Sequence, residues 1–347
     1  MANAASTTLT RVRGLSIIDA VGLVLLGLMA VFLVVQFVED PTRFINVSII
    51  GLTNGAIYGV VALGYTLVYG ILQLINFAHG DVFALSGLVA STLIISVFGL
   101  DEGSGVPIIL IGLAGTLAVT IPLFALLNGG IERVAYKPLR HAPRLAPLIT
   151  AVGVSFVIQN FSLAVYGVDF ESVPNFIPRT DAITIGDIVI QWNKLAVFAI
   201  VVPVLVVLTW FVRSTRQGKA MRAVSQDTEA SAMMGIDVNR TISVTFFLAG
   251  ALAAVAGLVY LLQFNMRYDT GFELGLIAFT AAVLGGIGNL TGAVLGAMLI
   301  GLVQALNEGL DGTPGSDWTR SIVFGILIAI LVFRPQGILG EQTPEGA

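Results

Sequence analysis

RSTRQGKAMRAVSQDTEASAMMGIDVNR, residues 213–240, is the longest polar, charge-bearing stretch of a chain that is otherwise strongly apolar. The 347 residues are 56% apolar and only 11% charged, against roughly 25% charged in an ordinary soluble domain. The mean hydropathy is +0.94. Nearly all of the surface must therefore face lipid or other helices. We expect a protein that crosses a membrane several times, with residues 213–240 as a loop in water.

The spans follow from windows of about 20 apolar residues, the length that crosses a bilayer as a helix. They are predicted at 15–38, 46–70, 82–100, 107–130, 148–167, 195–212 and 241–263, with a shorter last helix at 321–333. At 1.5 Å per residue that last run reaches only about 20 Å. Either Arg320 and Arg334 extend to the two interfaces, or the helix lies in a thinned or protein-lined region. The first run is longer than the apolar part of a signal peptide and is expected to stay in the mature protein.

The orientation follows from the basic residues, because loops rich in Lys and Arg stay in the cytoplasm. Most of the 17 Lys and Arg residues fall on the same side of the spans as both termini. The tail 1–14, the loop 213–240 and the C-terminus are therefore predicted to be cytoplasmic. The loop 168–194 collects acids and is predicted to lie outside.

Residues 276–310 cannot cross the membrane once, because the segments before and after them are both predicted to end outside. The sequence AAVLGGIGNLTGAVLGA, residues 281–297, contains the glycines that are expected to break a helix there: Gly285, Gly286, Gly288 and Gly292. We therefore predict a re-entrant hairpin of two short helices. The fold class is all-α, a polytopic membrane protein with about eight spanning helices and this glycine-broken hairpin.

A second break is predicted at YGILQLINFAHGD, residues 69–81, which includes Gly80. Broken helices in both halves of a transporter indicate its transport site, because half-helix ends offer unpaired backbone groups to a polar solute. The alternative is that both stretches are only packing stripes and turns. His79 and Asp81 are predicted at the inner membrane edge, as helix caps or loop anchors, with a gate as the alternative.

Polar residues inside the apolar spans are disfavoured in lipid and are expected to face protein or a transport path. The path candidates are Asn54, Tyr58, Tyr65, Asn76, His79, Gln159, Asn160, Thr280, Asn289 and Gln304. The alternative for each is a hydrogen bond to a neighbouring helix.

Enzymatic chemistry has no candidate residues in this sequence. Cysteine is absent, and the two histidines, His79 and His141, are far apart with no metal-ligand spacing. Gly218 and Lys219 are a lone Gly-Lys pair without the rest of a Walker A loop. No catalytic, metal or cofactor site is expected, and a net charge of −4 without a basic stripe argues against nucleic acid.

The loop 213–240 is predicted to contain a short helix. Asp227 is a plausible N-cap, Thr228 to Met234 favour helix, and Gly235 ends it. Ala230, Met233 and Met234 would form an apolar ridge that suits a groove on another protein. The alternative is an amphipathic helix that rests on the lipid surface.

Five blocks carry a resemblance to a known family. They are GLTNGAIYGVVALGYTLVYGILQLINFAHGD (51–81), IERVAYKPLR (131–140), GKAMRAVSQDTEASAMMGIDVNRTISVTFFLAGALAAVAG (218–257), AFTAAVLGGIGNLTGAVLGA (278–297) and FRPQGILG (333–340). Together they resemble the permease subunit of bacterial branched-chain amino acid ABC importers. The N-terminal extension and first helix lie outside these blocks, and the loop 168–194 matches poorly.

The resemblance implies a multi-pass permease of the bacterial inner membrane that is not itself an enzyme. It would take solute from a periplasmic binding protein, pair with a second permease, and be driven by two cytoplasmic ATPase subunits. The segment 218–237 resembles the ATPase-contacting segment of the family, which assigns coupling to Gly218, Asp227, Glu229, Ala230, Met233, Met234 and Gly235. The implied solute is a branched-chain amino acid, with urea or a short amide as the alternative.

Two further classes remain open, a stand-alone channel and an ion-coupled carrier. The chain has no Asn-Pro-Ala triplet, and a channel needs no docking helix. A carrier would be expected to bury ionisable groups near the centres of its spans, and the predicted spans contain none there.

Overall fold

The structure is a computed structural model that describes residues 17–73, 76–140, 142–143, 145–177, 180–334 and 336–340, with side chains from Gly27 onward. The predicted tail 1–14 and His141 lie outside the described residues. By its packing, the chain divides after Ile45 into two units.

The first unit contains α1 (Ile17–Glu39) and the start of α2, which begins at Pro41. Helix α1 agrees with the span predicted at 15–38. Its described side chains are mostly apolar and exposed, as expected for a helix in contact with lipid. The rings of Phe37 and Phe44 meet edge to face at 5.6 Å across the junction between the two helices.

The second unit is built almost entirely from helices. In chain order they are α2 (Pro41–Leu72), α3 (Ala78–Thr92), α4 (Val106–Ile131), α5 (Leu145–Tyr166), α6 (Trp192–Ser214), α7 (Arg216–Gln226), α8 (Thr228–Met233), α9 (Val238–Leu261), α10 (Thr270–Gly285), α11 (Leu290–Gly309) and α12 (Ser316–Phe333). Helix α3 continues as a π-helical turn, Leu93–Val97, and α4 as a π-helical turn, Glu132–Tyr136, with a 3₁₀ turn, Lys137–Leu139.

Within the described residues, eight helices are long and apolar enough to cross a membrane: α2, α3, α4, α5, α6, α9, α11 and α12. The predicted all-α polytopic class is therefore confirmed. The set differs from the prediction in including α11, which was predicted to belong to the hairpin.

A small β-hairpin lies within the loop 168–194 and was not predicted. Strands β1 (Asp181–Ile185) and β2 (Ile188–Gln191) pair antiparallel, with Thr184 opposite Val189. Two β-branched runs flank the pair Gly186 and Asp187, and Gly186 has a φ of +63°. This is a common two-residue hairpin turn, so the signal was present in the sequence.

The core is centred on α2, α3, α9 and α10, where small residues bring backbones together. A Cβ on Gly257 of α9 would collide with the backbone and hydroxyl of α3, and Ser86 Oγ donates a 2.8 Å hydrogen bond to the carbonyl of Ala253. Helix α2 packs in the same way on α11, where Gly51 and Gly55 leave no room for a side chain. Such contacts stabilise helices in lipid, where hydrophobic burial adds little.

Helices α10 and α11 form the predicted helical hairpin around a glycine turn. Gly286 has a φ of +103°, a conformation that favours glycine. The turn packs on residues 336–340, where Ile338 N–H donates to Leu284 and Leu339 N–H to Gly285. At the opposite end, Arg320 of α12 pairs with Glu273 of α10.

These contacts at both ends place α10 alongside most of the length of α12. Since α11 is itself long enough to cross, the structure does not confirm that the hairpin is re-entrant.

The last helix is longer than predicted. It begins at Ser316 rather than Ser321, and its 18 residues reach about 27 Å. The prediction failed because Asp317 and Arg320 lie outside any apolar window, although the helix includes both. Arg320 does not have to extend toward an interface from a short helix, because its guanidinium donates to both oxygens of Glu273, at 2.5 and 2.7 Å.

Candidate functional site

The loop 213–240 contains the predicted helix, α8, and both of its ends are capped. The Asp227 carboxylate accepts a hydrogen bond from Ala230 N–H at 2.8 Å, as expected of an N-cap. At the other end, Gly235 has a φ of +84°. Gly235 N–H donates to Ala232 and Ile236 N–H to Ser231, the pair of bonds that ends a helix in a Schellman motif. The local structure predicted for this segment is confirmed.

The exposed tip of α8 is apolar. Met233 is 82% exposed and Met234 is 83% exposed, while Ala230 is half-buried and Ser231 is buried. Glu229 lies exposed in the first turn of α8. These two exposed methionines on a capped helix form a hydrophobic projection from the loop.

Helix α7, which was not predicted, fixes α8 to the membrane helices. It starts one residue after α6, with Thr215 Oγ1 accepting from Gly218 N–H at 3.0 Å. A Cβ on Gly218 would collide with the backbone of Val212, so α7 packs very closely on the end of α6. Arg222 donates a 3.0 Å bond to the Val212 carbonyl, and the buried Met221 faces the core. No flexible linker separates α6 from α7.

The first-half break lies between Leu72, where α2 ends, and Ala78, where α3 begins. Gln73 has a φ of +53° there. Gly80, predicted to break the helix, lies instead in the first turn of α3. A Cβ on Gly80 would collide with the backbone of Gly271 in α10, so this glycine allows close packing.

His79 and Asp81 are buried inside the bundle, which corrects their predicted position at the membrane edge. They are 0% and 1% exposed, and neither side chain caps α3. Asp81 accepts hydrogen bonds from Ser155 Oγ and, at 3.1 Å, from Gln159 Nε2. Since Ser155 lies midway along α5, α3 must begin well inside the bundle. The sequence places Asp81 at the membrane edge because the predicted apolar span starts only at Val82.

His79 packs between α2 and α3. Its ring meets Tyr65 edge to face at 4.9 Å, and only a glycine at position 64 leaves space for it. The imidazole interacts with the backbone of Val61. Neither of its nitrogens makes a hydrogen bond of normal geometry with a described residue. It is therefore a buried polar group with unused hydrogen-bonding capacity.

The other path candidates differ in what their side chains contact. Tyr58 donates to Gln304 Oε1 at 2.7 Å, and Asn76 Oδ1 accepts from Tyr136 at 2.6 Å, so these link separate helices. Asn54 is buried, and Thr280 is buried with its hydroxyl bonded to its own helix. Asn289 is the N-cap of α11, accepting from Gly292 N–H at 3.0 Å and donating to Leu339 at 2.8 Å. These two bonds stabilise the α10–α11 turn.

Asn160 differs from the other candidates because it is exposed on the outer face of α5. Its amide donates only to Phe156 of its own helix, at 2.8 Å. The surrounding face is apolar and exposed, with Phe156 at 58%, Val157 at 70% and Phe161 at 56%. In the described chain this side chain therefore makes no hydrogen bond to another helix.

A buried charged network beside the loop was missed. Glu132 is 1% exposed and pairs with Arg140, which also donates to Asn239 Oδ1 at the start of α9. Ser243 Oγ donates to the same glutamate at 2.9 Å. The spacing of Glu132 and Arg140 in IERVAYKPLR was the available signal.

The loop 168–194, which contains the β-hairpin, is joined to the segment between α9 and α10. Glu171 and Met266 exchange two backbone hydrogen bonds, at 2.7 and 2.9 Å. Arg267 donates to both oxygens of Asp269, which raises the pKa of its guanidinium above the usual range. A cavity of about 30 Å³ between residues 173–177 and 261–265 has room for about two water molecules. It is too small for an amino acid.

Among the described residues, no three histidines or acids come together as metal ligands.

Comparison with known proteins gives a consistent result. Residues 48–332 match the family model described as "Branched-chain amino acid transport system / permease component". The chain is 37% identical over 301 residues to the high-affinity branched-chain amino acid transport system permease protein BraD of Pseudomonas aeruginosa PAO1, covering 85% of this chain and 95% of BraD. It is 34% identical over 312 residues to the corresponding LivH of Escherichia coli K12, covering 88% and 99%.

A more distant relative is the probable branched-chain amino acid transport permease protein LivH of Methanocaldococcus jannaschii. It is 28% identical over 293 residues, covering 81% of this chain and 88% of that protein. The matched region contains most of α2, every helix from α3 to α11 and nearly all of α12. The chain therefore belongs to the family of permease components of branched-chain amino acid transport systems.

Proposed function

We propose that this chain is one of two permease subunits of an importer that moves branched-chain amino acids into the cytoplasm. A periplasmic binding protein delivers the solute, and two separate ATPase subunits supply the energy. The observation that carries the proposal is the exposed methionine tip of α8, held by capped helices on a chain of this family. A protein that worked alone would have no use for such a projection.

The geometry of α7 and α8 supports a role as the coupling element. A lever must be rigid and must move with the parts that it drives. Helix α8 is capped at both ends and α7 is packed against α6. Only two residues separate Gly235 from α9, which has its own cap at Asp237. Movement imposed on Met233 and Met234 would therefore pass to both α6 and α9.

The chemistry of the α8 tip favours a protein partner over a lipid surface. An interfacial helix lies flat and presents an apolar stripe flanked by Lys and Arg. Helix α8 has six residues, with acidic residues at Asp227 and Glu229 and no basic residue within it. Anionic headgroups would repel these acids. Methionine side chains adapt well to a groove on a partner protein.

We propose that the solute route passes the break between α2 and α3. The buried polar candidates Tyr65, Asn76, His79 and Asp81 lie around the first-half break with exposures of 4%, 3%, 0% and 1%. They include an acid that suits a solute ammonium group, and helix ends that suit its carboxylate. We propose that movement of α8, driven by the ATPase subunits, exposes these groups to the solute one after another. This cluster favours a zwitterion over uncharged urea or amide.

The outer face of α5 supports a second permease subunit as a partner. A polar side chain such as Asn160 is disfavoured against lipid tails, and a small residue, Gly153, lies on the same exposed face with open space before it. Both features are typical of helix–helix interfaces in membranes. We propose that a helix of the second permease covers this face.

The orientation completes the proposal. The α8 tip and the C-terminal segment lie in the cytoplasm of a bacterium, together with the N-terminus. The loop 168–194, with its β-hairpin, faces the periplasm. Asp169, Glu171, Asp181 and Asp187 make this loop acidic. Introducing Lys at Glu171 and Asp187 is expected to slow delivery by the binding protein, and unchanged uptake would remove the loop from the partner surface.

The test is reconstitution in liposomes with stepwise addition of partners. The chain is expected to import leucine only with the second permease, the ATPases, ATP and the binding protein all present. Equilibration of solute by the chain alone would indicate a channel, and uptake that follows an ion gradient would indicate a carrier. Import of urea or acetamide in place of leucine would retain the importer and overturn the proposed solute.

A further inference from the structure

The block IERVAYKPLR forms a structural link between the loop that contains α8 and the break between α2 and α3. Its first part, Glu132–Tyr136, is a π-helical turn in which Lys137 N–H bonds to the Glu132 carbonyl. This turn sends one buried side chain toward each of two distant elements. Glu132 contacts the start of α9, and Tyr136 contacts the break.

The contact with α9 lies directly after the proposed coupling segment. Asn239 and Ser243 belong to the first two turns of α9, whose N-cap is Asp237. Ser243 Oγ donates to Glu132 at 2.9 Å, and Arg140 bridges Glu132 to Asn239. Since Glu132 is fully buried and charged, its hydrogen-bond geometry is strongly constrained. Movement of the start of α9 must change the position of Glu132.

The contact with the break lies at the other end of the same turn. Tyr136 is 4% exposed, and its hydroxyl donates to Asn76 Oδ1 at 2.6 Å. Asn76 in turn accepts the backbone N–H of His79 through its carbonyl, at 3.1 Å. The Tyr136 ring also packs on Phe246 of α9, at 5.4 Å. Displacement of Tyr136 would therefore move Asn76, which lies two residues before α3 and accepts a hydrogen bond from its first turn.

A π-helical turn is suited to a discrete movement. It contains one residue more per turn than an α-helix, and such turns occur often at functional sites. Conversion to α-helical bonding would rotate the following residues by about 100°, the angle per residue of an α-helix. That rotation would turn Tyr136 relative to Glu132. A change between two bonding patterns is the kind of two-state element that coupling requires.

We infer that the π-helical turn Glu132–Tyr136 is the positioning element that transmits movement of α8 to the α2–α3 break, with Glu132 receiving it and Tyr136 passing it to Asn76. This inference rests on the proposed coupling function of α8. It adds a route, and it assigns positioning roles to Glu132, Tyr136 and Ser243, which contact no partner subunit and no solute in the proposal.

The experiment uses two changes that remove one hydrogen bond each without leaving a buried charge unpaired. Tyr136→Phe keeps the ring on Phe246 but removes the bond to Asn76, and Ser243→Ala removes the bond to Glu132. Tyr166→Phe is the matched control, because it makes the same chemical change and removes a hydrogen bond between α3 and α5 outside this route. The readout is leucine imported per ATP hydrolysed by the complete importer in liposomes.

Each of the two variants is expected to lower this ratio at least threefold, while ATP hydrolysis continues and Tyr166→Phe keeps the normal ratio. Because the two bonds act in series, the double variant is expected to import as much leucine per ATP as the more impaired of the two single variants. Normal ratios in both single variants would overturn the inference. So would a double variant whose loss is the product of the two single losses, since the bonds would then act independently.

A second readout does not depend on uptake. The chain contains no cysteine, so Val134→Cys, at a side chain that is 79% exposed on the turn, gives a single site for a spin label. The label spectrum is expected to differ between nucleotide-free and ATP-bound importer, and Ser243→Ala is expected to abolish that difference. An ATP-independent spectrum in the unmodified background would also overturn the inference.

The outcomes separate this inference from the proposed function. If Met233→Glu leaves transport coupled, the role of α8 itself is wrong. If Met233→Glu uncouples transport but Tyr136→Phe and Ser243→Ala do not, α8 couples by another route and only the role of the π-helical turn is wrong.

Discussion

The carboxylate of Asp227 accepts a 2.8 Å hydrogen bond from the backbone N–H of Ala230. This bond caps a helix of six residues, a length with little stability of its own. Loss of an N-cap costs about 1 kcal/mol. We expect Asp227→Ala to fray α8 and to lower ATP-driven uptake severalfold. Uptake by reconstituted importer measures the effect, with the exposed neighbour change Gln226→Ala as control, and equal uptake by both variants would contradict it.

Gly235 allows a graded change at the other end of α8. Its φ of +84° strains other residues, but asparagine tolerates this region better than β-branched residues do. We expect Gly235→Asn to keep most of the coupled transport and Gly235→Val to lose most of it. A Cβ at Gly235 meets nothing within 4 Å, so any loss reflects backbone conformation. Equal activity of the two variants would show that the turn is not required.

Met233 tests whether the tip of α8 binds the ATPase. Because its side chain is 82% exposed, replacement should not disturb the fold. Met233→Glu is expected to abolish co-purification of the ATPase subunits, since a charge in an apolar groove loses its hydration. Met233→Leu keeps the apolar contact and is expected to retain it. Retention of the ATPase by the glutamate variant would exclude this tip as the docking site.

Gly80 tests the packing of α3 on α10. An added methyl group would collide with the Gly271 backbone, which cannot move as a side chain can. Overpacking of this kind costs about 1–3 kcal/mol, so Gly80→Ala should lower the melting temperature of the purified protein in detergent. Gly130→Ala, where a Cβ meets nothing within 4 Å, is the control. Identical melting of the two variants would show that α3 and α10 can separate freely.

Asp81 and Ser155 test the buried polar cluster. Removing one partner of a buried hydrogen bond costs about 1–3 kcal/mol, because the remaining group is left unsatisfied. Asp81→Ala and Ser155→Ala are each expected to destabilise the protein, and the double variant to lose less than the sum of the two. Thermal unfolding in detergent measures all three. Full additivity would indicate that the two side chains do not depend on each other.

The fold was predictable where apolar length alone decides it. Windows of apolar residues located seven of the predicted spans within a few residues. The same windows failed at charged helix ends, so α12 was started at Ser321 instead of Ser316. The windows also left Asp81 and Glu132 outside the predicted spans. Hydropathy alone cannot distinguish a charged residue in water from a buried one that hydrogen-bonds to a distant helix.

The candidate site was predictable only where capping is local. Asp227 and Gly235 cap their helix through residues three to five positions away, so the sequence contains all of the required information. His79 was misplaced because its depth depends on where α3 starts relative to α5 and α10. The pairing of Glu132 with Ser243 joins residues 111 positions apart. Neither relationship follows from local spacing.

The packing of residues 336–340 on the α10–α11 turn has a consequence for the order of biosynthesis. Leu284, Gly285 and Asn289 leave the ribosome about fifty residues before the segment that satisfies their hydrogen bonds. Until α12 has been inserted and residues 336–340 have followed it, the polar groups of the turn must form hydrogen bonds with water or with the insertion machinery. Completion of the hairpin is thus a late step, and a stop codon before Gly337 is expected to produce chains that are inserted but rapidly degraded.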